Sequence, residues 1–134
     1  MDQRFDTMML PAERDVLAPD GSDVRVLLQL TGGGMAHFEL GSNRISRAVA
    51  HHSVDEIWYI LRGTGQMWRR QGDHEETVPL SPGTCLSIPV GTHFQFRSSS
   101  APLAALGVTM PPWPGEDEAY EVIGAWPSDP AAEA

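Results

Sequence analysis

Nine short apolar segments follow one another with little but turn residues between them. They are VRVLLQL (24–30), MAHFEL (35–40), RISRAVA (44–50), EIWYILR (56–62), QMWRRQ (66–71), EETVPL (75–80), TCLSIP (84–89), HFQFRS (93–98) and LAALGVTM (103–110). The connections are GGG, GSN, GTG, GD, SPG and PVG. Glycine tolerates positive φ, proline presets one turn position, and Asn or Asp accepts left-handed geometry. Strands at such even spacing, with almost no helical period, predict an all-β sandwich or barrel. Short helical pieces are expected only near 5–10 and 116–121.

The 134 residues suffice for one domain with a real core. Three parts are expected: an N-terminal arm over 1–23, a barrel over 24–110 and an acidic Pro- and Trp-containing segment over 111–134. No apolar run approaches the roughly 20 residues of a membrane helix. The start, MDQRFDTMMLPAERD, lacks the apolar stretch of a secretory signal. The single cysteine, Cys85, fits a reducing cytoplasm and is expected to be a buried thiol.

The formal charge is −9, and all nine basic residues are arginine. Without lysine, Schiff-base chemistry is excluded. With no basic stripe, neither nucleic acid nor membrane is an expected partner. The last twenty residues hold six acids and no base, the pattern of a solvated tail.

Strand alternation assigns faces. In EIWYILR, Glu56, Trp58 and Ile60 share one side, and Ile57, Tyr59 and Leu61 the other. Both are apolar, so both are expected to be covered. In HFQFRS, Phe94 and Phe96 oppose His93, Gln95 and Arg97. Glu56 should sit at the rim of an aromatic interior.

Glu56 and Gly63 are separated by six residues, with His51 and His52 shortly before; Gly83, Pro89 and Gly91 follow in PGTCLSIPVGTHFQF. These spacings resemble the two motifs of the cupin family over residues 24 to 110. The closing TMPPWPGEDEA also resembles small bacterial single-domain cupins. The resemblance implies a double-stranded β-helix, or jelly-roll-like, barrel of eight to nine strands in two packed sheets. It also implies a metal held by two histidines and a glutamate of the first motif and one histidine of the second. The chain departs from that set. The first histidine position falls on Val49 or Ala50, the second-motif histidine on Phe94, and the asparagine on Ser98.

Three functions remain open. One is metal-poor or metal-free acid–base catalysis, such as isomerisation, cyclisation or elimination, with Glu56 as acid or base and His51 as its partner. A carboxyl in an apolar pocket is driven toward neutral pKa values, where it can serve either role. The second is a metal-dependent dioxygenase- or isomerase-like protein using one divalent ion (Zn, Mn, Fe or Ni). His51, His52 and Glu56 would hold the ion, with His37 or His93 recruited. The third is a non-catalytic ligand-binding barrel. The expected cavity residues are His37, Arg47, His52, Trp58, Trp68, Phe94 and Phe96, and the expected ligand is apolar or aromatic. Arg47 could grip a carboxylate or phosphate. Trp113, extended by its prolines, should fold over the barrel as packing or a lid. His74 belongs to a surface turn. A homodimer is expected.

Overall fold

A computed structural model describes residues 4–18, 20–115 and 117–129. Among the described residues eleven strands form two antiparallel sheets, and none of these residues is helical. The strands are β1 (Val16–Leu17), β2 (Asp23–Leu30), β3 (Gly33–Leu40), β4 (Val49–His51), β5 (Asp55–Arg62), β6 (Gly65–Gln71), β7 (His74–Leu80), β8 (Cys85–Ile88), β9 (His93–Ser98), β10 (Leu103–Met110) and β11 (Ala119–Glu121). One sheet runs β1-β2-β3-β10-β5-β8 and the other β11-β4-β9-β6-β7. This is the all-β cupin barrel.

The turns account for the strand ends. Gly63 leaves β5 at a φ of 82°. A Cβ there would also collide with the Pro102 carbonyl, so the β5–β6 connection requires glycine. The core lies between the sheets. Trp58 stacks on Phe38 with centroids 5.3 Å apart and meets Phe96 edge-on at 4.9 Å. Ile60, Met67, Leu80, Ile88 and Leu103 fill the space behind them.

Several expectations are corrected. The segment 44–50 contributes only β4 and an isolated bridge between Ile45 and Arg97. Neither predicted helix forms; the second gives way to β11, which pairs with β4. Cys85 is exposed, because alternation in β8 turns Leu86 and Ile88 inward and the thiol outward. On β5 the outer residues Ile57, Tyr59 and Leu61 are 44%, 48% and 40% exposed in the single chain.

The acidic end is no solvated tail over its described part. Gln95, 1% exposed, donates to the carbonyls of Ser46 and Trp126 and accepts the Trp126 N–H at 2.9 Å. The Arg97 guanidinium lies 4.1 Å from the Trp126 ring centroid, and Arg44 pairs with Asp129 at 2.7 Å. The segment is thereby fastened to the outer side of β9. Gln95→Ala should cost about 1–3 kcal/mol, because it strands the Trp126 N–H. Urea unfolding would read the loss, and an unchanged midpoint would show that the segment contributes no stability.

Candidate active site

Between the sheets lies a cavity of about 480 Å³ whose wall is mostly apolar. Both ends of the chain help to close it. Val16, Leu17 and Asp20 come from the N-terminal side, and Trp113 and Ala119 from the C-terminal side. Trp58, Phe38 and Phe94 supply aromatic walls.

Glu56 projects from β5 into this space and is 3% exposed. Its place depends on β10. Gly107 pairs with Trp58 and Thr109 with Glu56. A Cβ on Gly107 would lie 2.7 Å from Glu56 Oε2 and 2.5 Å from the Phe38 ring. The missing side chain is the slot that admits the carboxyl. Burial pushes Glu56 up to about 8; the Trp58 indole N–H opposes the shift and the nearby Asp20 charge adds to it. At pH 7 Glu56 is therefore chiefly a neutral acid.

His51 ends β4 and faces the same cavity, with Nδ1 3.7 Å from Glu56 Oε1. Burial pushes its pKa down to about 4, against the pull of Glu118. It is neutral at pH 7, and its Nδ1 has no hydrogen-bond partner. Phe94 and Trp113 both meet the imidazole edge-on, at 5.2 and 5.1 Å. Glu118 fixes the loop after His51 by accepting from Ser53 N and Oγ, both at 2.6 Å, and from Val54 N at 2.9 Å. Burial alone would raise the Glu118 carboxyl, but these donors hold it below its ordinary value.

Of the residues singled out in the sequence, Glu56, His51, Trp58 and Phe94 meet at the cavity. Trp113 joins them, so it does fold over the barrel. The others lie elsewhere. His52 is exposed and stacks on Tyr120 at 4.3 Å. His37 alternates away from Ala36 and Phe38, and is buried on the other side of β3 opposite Leu106 and Arg25. Trp68 pairs with Gln95, on the side of its sheet away from Phe94, and donates to Glu75. Phe96 packs behind Trp58 in the core. Arg47 lies beside Asp20, to which its backbone N–H donates at 2.9 Å, and does not line the cavity. His93 pairs with Arg70 across β6 and β9, outside the cavity wall. His74 is on the surface.

The metal pattern does not fit these residues. Phe94 occupies the second-motif histidine position and points inward, while His52 points out. Among the described residues no group of three or more His, Cys, Asp or Glu side chains could hold an ion.

Asp20 went unnoticed in the sequence. It is buried, it accepts Ser22 N at 2.9 Å and Ser22 Oγ at 2.6 Å, and burial pushes its carboxyl up despite Ser22 and Arg47. The run PDGSD carries a turn signal, but nothing local says that the turn folds back onto a cavity.

No family model matches the chain. The L-ectoine synthases of Mycobacterium sp. (strain KMS) and Mycobacterium sp. (strain MCS) are each 32% identical to it over 125 residues, spanning 90% of this chain and 91% of theirs. Among solved structures, Streptomyces Pac13, a nucleoside dehydratase, superposes with a TM-score of 0.67 at 14% identity, covering 87% of this chain and 92% of its own. Staphylococcus aureus CapF, a capsular polysaccharide assembling protein, gives a TM-score of 0.68 at 14% identity over 77% of this chain and 32% of its own. The likeness to these two structures is one of fold.

Proposed function

Because the chain belongs to the L-ectoine synthase family of small cupin enzymes, we propose that its cavity performs acid–base chemistry on a small molecule, with Glu56 moving the proton. The carrying observation is the pairing of a buried carboxyl pushed up to about 8 with an imidazole pushed down to about 4, 3.7 Å apart. At pH 7 the pair holds one proton, on the carboxyl. Glu56 gives it to an oxygen of the substrate, a carbonyl under attack or a departing hydroxyl. His51, with Nδ1 unpartnered, accepts a proton from the substrate's carbon or nitrogen. A cyclisation, an isomerisation and an elimination of water all need this exchange. The apolar, aromatic wall excludes water and suits a ligand with an apolar or ring-shaped body.

The test is to offer the chain the precursor from which the mycobacterial enzymes make L-ectoine, together with ring-bearing hydroxy and keto compounds in deuterated water. Product, or deuterium in recovered substrate, should appear with the native chain and not with the Glu56→Gln variant. Equal incorporation by both proteins would refute the role of Glu56.

The chain also works as a homodimer in this reading. The outer face of the six-stranded sheet carries the row Ile57, Val108 and Met35, in register across β5, β10 and β3. A groove of about 410 Å³ beside it is lined by Met8, Leu10 and Leu30. Exposed apolar surface of this kind marks an interface. Light scattering should give twice the 14.6 kDa chain mass, and Ile57→Asp should return it to one.

A further inference from the structure

We propose that Gln29 and Thr109 contact the substrate beside Glu56: the Thr109 hydroxyl donates to the substrate oxygen that Glu56 protonates, and the Gln29 amide holds a second, uncharged oxygen of the same molecule. This rests on the acid–base reading of the cavity and narrows its substrate to a small ring that carries two oxygens.

Register places these residues in one row. Gln29 of β2 stands opposite Gly34 of β3, Gly34 opposite Thr109 of β10, and Thr109 opposite Glu56 of β5. All four line the cavity. Directly opposed residues on one face of a sheet bring their Cβ atoms within about 5 Å, so Thr109 sets a hydroxyl beside the Glu56 carboxyl. Gly34 leaves a gap in the row, and Gln29 fills it. A Cβ on Gly34 would lie 2.8 Å from Gln29 Cγ and 3.3 Å from Gln29 Nε2, so the Gln29 side chain lies across β3. Its amide thus comes about one strand spacing, roughly 5 Å, from Thr109 and about two from Glu56.

Neither group is engaged within the protein. Thr109 is buried, and neither its hydroxyl nor the Gln29 amide bonds to a described residue. A buried hydroxyl ordinarily has a partner. Here the space that can supply one is the cavity. Gln29 is exposed, which puts it at the opening, where the trailing group of a ligand would meet it. Hydroxyl and amide carry no charge, and Glu56 and His51 are chiefly neutral at pH 7, so the row matches uncharged oxygens. An oxygen seated between Thr109 and Glu56 takes a proton from one and a hydrogen bond from the other. Charge developing on it meets a donor already in place. Two oxygens at opposite positions of a six-membered ring span about one strand spacing, and the ring carbons suit the apolar remainder of the wall.

Two probes test the proposal, 4-hydroxycyclohexanone and cyclohexanone, titrated calorimetrically into the full chain at neutral pH. The two-oxygen probe should bind about fivefold tighter, the worth of one neutral hydrogen bond. Gln29→Leu should bring it down to the level of cyclohexanone. Thr109→Val keeps the side chain's shape and removes its hydroxyl. It should weaken both probes about fivefold, and Thr109→Ser should restore them. Four results overturn the proposal: equal binding of the two probes by the native chain, a Gln29→Leu chain that keeps the difference, a Thr109→Val chain that binds as the native one does, or no detectable binding of 4-hydroxycyclohexanone at tens of millimolar. Binding requires no turnover, so the contacts and the acid–base reading can fail separately. In deuterated water the native chain should exchange the ring protons beside the ketone, and Thr109→Val should slow this about a hundredfold. The expected binding pattern with no exchange would remove the acid–base reading and leave the contacts. Exchange that Thr109→Val leaves unchanged would remove Thr109 and leave that reading.

Discussion

Glu56→Gln should lower kcat about a hundred- to ten-thousand-fold, the range that a positioned acid or base contributes. The amide is nearly the size of the carboxyl, so it fits the slot opposite Gly107 and leaves the stacked Phe38 and Trp58 in place. What it removes is the exchangeable proton, held by a group pushed up to about 8. The loss should therefore fall on kcat, with little change in the thermal melt at pH 7. His51→Gln tests the other half of the pair. It keeps a polar group between Phe94 and Trp113 but cannot take the proton back. A Glu56→Gln enzyme within tenfold of the native rate would remove Glu56 from the chemistry.

The Glu56–His51 pair should hold its contribution to stability nearly level from about pH 4.5 to 6.5 and then lose about 2 kcal/mol between pH 6.5 and 8. Two opposed titrations produce this shape. Glu56 is raised from 4.5 to about 8, so the folded chain keeps a proton that the unfolded chain has lost. Its contribution is complete below pH 4.5 and is lost as pH rises through 8. His51 is lowered from 6.5 to about 4, so the unfolded chain takes up a proton that the folded chain refuses. Its contribution is complete above pH 6.5 and is lost as pH falls toward 4. The slopes of this pair cancel where the windows overlap, and above pH 6.5 His51 no longer opposes Glu56. Urea midpoints from pH 5 to 9 would trace the profile. The Glu56→Gln variant should lose the fall above pH 6.5. That comparison separates Glu56 from Asp20, whose carboxyl is also pushed up by burial. A native profile that is flat, or that rises, from pH 6.5 to 8 would place Glu56 in water.

Much of the barrel was legible because its signals are local. The period-2 pattern of EIWYILR put Glu56 and Trp58 on one side, and the same rule turned Phe94 and Phe96 away from His93. The turn glycines and prolines marked where β5, β6, β8 and β9 begin or end. The cavity's closure was not legible, because it depends on distant partners. β1 has two residues and β11 three, too short to show a period, and each exists by pairing with a strand the local sequence does not announce. The choice between His51 and His52 was set by the register of the three-residue β4 against β11, where His51 pairs with Ala119. Gln95 looked like an ordinary outward polar residue until Trp126 came to it. Ile57, Tyr59 and Leu61 are apolar where a single chain offers no cover, so the alternation that placed them could not say what faces them.

Residues from both flanks of the barrel line the cavity, Val16, Leu17, Ala18 and Asp20 on one side of the sequence and Trp113, Gly115 and Ala119 on the other. A fragment trimmed to 23–110 would retain β2 to β10 and the Glu56–His51 pair. It would be an open cup, with solvent on the carboxyl and with neither Asp20 nor Trp113 in reach. The strands furnish a scaffold, and the flanking segments complete the apolar wall beside which a carboxylic acid can keep its proton at neutral pH. Changes in reactivity between chains of this architecture can therefore arise from the flanks, with the strands left unchanged.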